Sequence, residues 1–109
     1  MNKNWENQLK NGVFLVEISG EGCASCEALF PLLREKEKER GDFTLIRIEL
    51  ENLTEEYVEK WEIYKVPTAL LFSGGEIVAR FSGYQPEEIL DIWLDAKLSE
   101  IKNNMKRGN

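Results

Sequence analysis

The chain has 109 residues, a 42 % apolar fraction and a formal charge of −6; that length and balance fit one soluble domain, residues 1–109, with a single modest core. The acidic balance argues against non-specific binding to nucleic acid or anionic membrane, and no apolar stretch reaches the ~20 residues of a membrane span. Histidine is absent, which excludes serine–histidine and cysteine–histidine catalysis; two cysteines cannot complete a zinc site unless two copies share it.

A short amphipathic helix is predicted over Asn2–Lys10, with Trp5 and Leu9 on one face, closed by Asn11-Gly12. Val13–Ile18 is nearly continuous apolar sequence and reads as a strand buried on both faces. A helix follows from Cys23 to about Arg40. Leu29, Leu32 and Leu33 form its stripe, and Pro31 inside it predicts a kink. The run Arg34–Arg40 alternates in charge and reads as a solvated face with local ion pairs.

Phe43–Leu50 is the second predicted strand, with Ile46, Ile48 and Leu50 on one face. Thr54 caps a helix expected over Glu55–Ile63, with Leu53 and Val58 placed for a hydrophobic staple. Thr68–Phe72 and Ile77–Ser82 form a hairpin about Gly74-Gly75. Pro86 opens the last helix, whose stripe is Leu90, Trp93, Leu94, Leu98 and Ile101; Asn103–Asn109 reads as a frayed tail. This order predicts a parallel strand–helix–strand unit and an antiparallel hairpin in one mixed four-stranded sheet, with helices on both faces.

The cysteines, Cys23 and Cys26, frame Ala24-Ser25 where the first buried strand gives way to a helix. Two thiols one helical turn apart can form and break a disulfide with little backbone movement. Met1–Glu6 does not read as a signal peptide, so a cytoplasmic location is expected, where such a pair reads as redox-active rather than as a staple. Two unrelated buried thiols on one helix face are the bland alternative. Glu17 interrupts the apolar strand; buried and unpaired it would be costly, unless it turns to solvent at the strand end.

Cys23-Ala24-Ser25-Cys26 after the first core strand, Val66-Pro67-Thr68 before the third, the Gly74-Gly75 turn and Phe81-Ser82-Gly83 occur in the order found in the thioredoxin family, which the chain resembles over roughly residues 5–101. The resemblance implies an α/β, thioredoxin-like fold and a thiol–disulfide oxidoreductase that reduces protein disulfides. Cys23 would be the nucleophile, favoured as thiolate by the helix N-terminus, and Cys26 the resolving thiol. Pro67 would be cis and would pack beside the disulfide. Gly22, Ala24, Ser25, Val66, Pro67 and Thr68 would face substrate, with the Val66 backbone pairing to it. Glu17 would be a buried acid relaying protons to Cys26, with Arg47 where the family often has a lysine. The resemblance implies no metal or organic cofactor, a thioredoxin-reductase-type electron donor, and a monomer.

The chain departs from the family in three ways. Gly22 stands where a tryptophan is usual, and Ala24-Ser25 replace Gly-Pro. Glu21 and Glu27 flank the motif and oppose a thiolate, with Lys65 placed to offset them. Residues 1–11 are too few for both a strand and a helix, so the usual first strand is expected to be missing. These departures favour one rival, a thioredoxin-fold binding module or redox sensor; a glutaredoxin-like use of glutathione is the weaker rival, because acids flank the motif.

Overall fold

The computed structural model describes residues 4–107, with side chains from 6 to 105. Its elements are α1 (Asn4–Gln8), β1 (Val13–Ser19), α2 (Ala24–Arg40), β2 (Thr44–Glu49), a 3₁₀ turn (Leu50–Asn52), α3 (Glu55–Lys60), β3 (Thr68–Ser73), β4 (Glu76–Ser82) and α4 (Glu87–Arg107). The strands lie in the order β2-β1-β3-β4. β1 runs parallel to β2, and β3 is antiparallel to both β1 and β4. Within the described residues, α1 leads directly into β1. Residues 2 and 3 of the expected first helix, and the Trp5 side chain, lie outside the described residues.

Apolar side chains on both faces make β1 the centre of two cores. Phe14, Val16 and Ile18 meet Leu9, Leu53, Trp61, Ile63, Leu70 and Phe72 on the α1 and α3 side. Leu15 points to the opposite face, with Leu29 and Leu33 of α2 and Leu90, Leu94 and Leu98 of α4. Ile46, Ile48 and Leu50 share the first core, as their alternation predicts. Gly74 and Gly75 take φ of 60° and 88°, the positive values a two-residue hairpin needs. Residue 78 is left over in that hairpin, because Leu71 pairs with Ala79 but Phe72 with Ile77.

α3 is shorter than predicted. Thr54 caps it, its Oγ1 accepting the Tyr57 N–H at 3.3 Å. The helix ends at Lys60, and Glu62 adopts a left-handed φ of 54°. The Ile63 N–H then reaches the Val58 carbonyl at 2.9 Å and the Glu62 N–H reaches Glu59 at 3.1 Å, the pairing that closes helices around a left-handed residue. Arg80 on β4 donates to the Trp61 carbonyl at the same end. At the other extreme, α4 runs through Arg107, into the Asn103–Asn109 segment expected to be a frayed tail; neither proline nor glycine interrupts it before Gly108.

The charge run on α2 needs correction. Lys36 is buried, not solvated, and its Nζ lies 2.8 Å from both Glu87 and Asp91 on α4. The i, i+3 contact to Glu39 is the longer one, at 3.5 Å. Position 36 continues the stripe of Leu29 and Leu33, so the lysine stem packs between helices while the ammonium finds acids at the seam. α2 also passes through Pro31 as one helix. β2 is an edge strand, and its Leu45 N–H is taken by the Glu37 carboxylate of α2 at 2.9 Å.

Candidate redox site at the first turn of α2

β1 delivers the chain to Gly20, and the loop turns at Gly22 with φ of 65°. A side chain is rarely accommodated in that left-handed conformation, which gives a local reason for glycine at this position. Cys23 follows in an extended conformation as the N-cap of α2. Its Sγ accepts the Cys26 N–H at 3.1 Å and lies 3.5 Å from Ser25 Oγ. Sulfur thus replaces the side-chain oxygen that ordinarily satisfies a first-turn N–H. Cys23 and Cys26 form a disulfide, with Cα atoms 5.3 Å apart. Cys26 is fully buried, whereas Cys23 is partly exposed.

The Val66–Pro67 peptide bond is cis. A Cβ built on Gly20 would stand 2.9 Å from Val66 Cγ2, so the loop before Cys23 and the proline loop are in van der Waals contact through a missing methyl. The Pro67 carbonyl accepts the Gly83 N–H at 2.8 Å. Thr68 Oγ1 donates to the Lys65 carbonyl at 2.7 Å and lies 3.1 Å from Ser82 Oγ. The structure therefore gathers the Cys23, Pro67 and Gly83 loops at one end of the sheet. Pro67 and Thr68 are buried there, Val66 is partly exposed, and Gly22 and Ala24 lie open.

Glu17 does not turn to solvent; it is fully buried. On β1 it shares the sheet face of Leu15 and Ser19, the face covered by α2, whose buried side carries Cys26, Leu29 and Leu33. Burial pushes its carboxyl up to about 7; Arg47 opposes the shift, while Glu49 and Glu27 add to it. Arg47, its partner on β2, brings Nε to 3.0 Å of Glu17 Oε1. The contact is at hydrogen-bond distance but poorly aligned: by strict geometry neither Glu17 oxygen nor Arg47 Nε is bonded, yet the nearby N–H still lowers the carboxyl's pKa and so counts as a weak bond at most.

Arg47 spends its directed N–H bonds elsewhere. Nη2 donates to Ser19 Oγ at 2.7 Å and to Glu27 Oε2 at 3.1 Å, and the guanidinium carbon sits 4.5 Å from the Phe30 ring centre. Glu27 is thus neutralised by Arg47, a task the sequence reading gave to Lys65. Ser19 and Phe30 escaped that reading as members of the site, and Glu27, named there only as a flanking acid, was not matched to Arg47, because their common partner lies 17 to 28 residues further along the chain. Among the described residues, no group of three or more Cys, Asp or Glu is arranged to hold a metal ion.

An exposed sulfur at a helix N-terminus, joined to a buried one a turn later, is built for two-electron exchange: the positive helix end favours the thiolate, and the second sulfur is already within bonding reach. These features define a thiol–disulfide oxidoreductase with Cys23–Cys26 as its redox-active pair. Comparison with known proteins narrows the class. The thioredoxin family model matches residues 1–96. Thioredoxins of Bacillus subtilis and Chlamydia pneumoniae are 27 % and 30 % identical to it, each over 81 % of this chain and 85 % of their own length. That of Staphylococcus haemolyticus is 28 % identical over 87 % of this chain and 91 % of its own. The chain belongs to the thioredoxin family.

Proposed function

We propose that this protein reduces disulfides of other proteins, with Cys23 as the attacking thiolate and Cys26 as the resolving thiol. Cys23 Sγ attacks a substrate disulfide; one S–S bond forms, the substrate's S–S bond breaks, and one substrate thiolate leaves. Glu17 accepts the proton of Cys26. The Cys26 thiolate then attacks Cys23 Sγ, expels the second substrate thiolate and leaves Cys23–Cys26 oxidised. A thioredoxin-reductase-type flavoprotein returns the two electrons. Substrate lies along Gly22, Ala24, Ser25 and the Val66–Thr68 loop, with the Val66 backbone pairing to it. The protein acts as a cytoplasmic monomer; no helix of the described residues is long and apolar enough to cross a membrane.

The observation that carries this reading is the Cys26 N–H donated to Cys23 Sγ. In the oxidised pair that bond is to a neutral sulfur; kept after reduction, it would favour the Cys23 thiolate, and the burial of Cys26 leaves Cys23 as the sulfur a substrate can reach. Insulin reduction with dithiothreitol as electron source is the test. The native chain is expected to be active, Cys23→Ser inactive, and Cys26→Ser trapped as a mixed disulfide with substrate. An inactive native chain would overturn the reductase reading in favour of a binding module.

A further inference from the structure

Among the described residues, Arg47 is the cation paired with Glu17, and it is held by others. Two of its bonds go through Nη2, to Ser19 and to Glu27, and its flat face rests on Phe30. The guanidinium is therefore fixed in plane and in rotation. In that pose Nε stands 3.0 Å from Glu17 Oε1, off the line of a well-aligned bond, and gives it at most one weak N–H contact. A guanidinium free to rotate would offer a carboxylate two parallel N–H bonds, its strongest arrangement.

Glu27 is the side chain that withholds this arrangement. It is 72 % exposed, its carboxylate accepts from Arg47, and it sits in the first turn of α2 next to Cys26. The charged groups facing Glu17 are few. β2 supplies Arg47 and Glu49, and α2 supplies Glu27 beside the bonded Cys26. Its neighbour on β3 is Ala69, and α4 contributes Leu90 and Leu94 to that face.

We infer that Glu27 is a positioning residue of the redox site: by holding Arg47 against Ser19 it keeps the guanidinium from closing on Glu17, and so sets the pH at which Glu17 releases its proton. The functional consequence rests on the proposed service of Glu17 to Cys26. Removing Glu27 loosens Arg47, which keeps Ser19 and Phe30, and deletes one negative charge; both changes favour the Glu17 carboxylate.

The test uses the oxidised protein, whose sulfurs do not titrate, with the Glu17 side-chain carboxyl followed by ¹³C NMR across pH. In Glu27→Ala the midpoint should fall by about one unit. Glu27→Gln keeps an acceptor oxygen for Arg47 and should fall by less. Glu35→Ala, an exposed site further along α2, should leave the midpoint in place. A midpoint in Glu27→Ala that stays or rises overturns the inference. The pH profile of disulfide reduction separates the two readings: if the Glu17 midpoint falls and the rate profile does not follow, the clamp stands and the relay is lost.

Discussion

Lys36 Nζ lies 2.8 Å from Asp91 Oδ1, tying the middle of α2 to the second turn of α4. With Glu87 and Glu39 also in reach, the ammonium is held in its charged form, its pKa raised chiefly by the hydrogen bonds it donates to Asp91 and Glu87. The acids are half exposed and the lysine is not, so truncation removes more packing than charge. Lys36→Ala should cost about 1–3 kcal/mol and Lys36→Met, which keeps the stem, about 1 kcal/mol or less. A raised lysine pKa stabilises the fold at every pH below the unfolded value of ~10.4 and loses that effect only as pH climbs through the folded value. Urea titrations at pH 7 and above 11 should show the difference between native and Lys36→Met shrinking in alkali.

Glu17 predicts a slope of the same sign in a lower pH window. Its carboxyl titrates near 7 in the fold and near ~4.3 unfolded. Between those values the folded chain binds the extra proton, so stability falls as pH rises through this window and is level above it. Glu17→Gln has no such proton to lose. It should match the native protein near pH 4 and exceed it by about 3 kcal/mol at pH 8. Denaturant midpoints of the two oxidised proteins that run parallel from pH 4 to 8 would contradict the buried-acid description.

Glu62 holds a left-handed backbone at the end of α3, a conformation that costs a residue with a Cβ about 1 kcal/mol and glycine almost nothing. Glu62→Gly should therefore stabilise the protein by about 0.5–1 kcal/mol, read as a rise of a few degrees in the thermal midpoint.

Gly20→Ala tests the contact between the two site loops. The added methyl meets Val66 Cγ2 at 2.9 Å, so the proline loop must shift; overpacking of this kind costs about 1–3 kcal/mol. Disulfide reduction should fall several-fold. Pairing it with Val66→Ala removes the clash and should restore part of the stability; a double variant no better than the single one would exclude this contact as the cause.

Cys23 at a helix start, β1 buried on both faces and the Gly74-Gly75 hairpin were legible in the sequence because each is a local pattern: a spacing, an apolar run, a turn dipeptide. The cis bond at Pro67 was legible only through resemblance. Lys36 was misread because alternating charge carries no 3.6-residue signal, and only the position of α4 makes its slot interior. The early end of α3 was hidden since Glu62 stands where a glycine would have marked it. Arg47 was placed near Glu17, but its bonds to Ser19 and Glu27 depend on how β1, α2 and β2 come to rest together.

The Glu37 carboxylate bound to the Leu45 N–H has a meaning beyond that single hydrogen bond. An edge strand offers unpaired N–H groups to any passing chain, and here a side chain from α2 occupies one of them. The helix that presents the sulfurs at one end of the sheet thus also helps decide where the sheet stops growing sideways. On the proposed reading, in which a substrate disulfide meets Cys23, that separation is useful: partners would be admitted at the tip of α2 and discouraged along its flank.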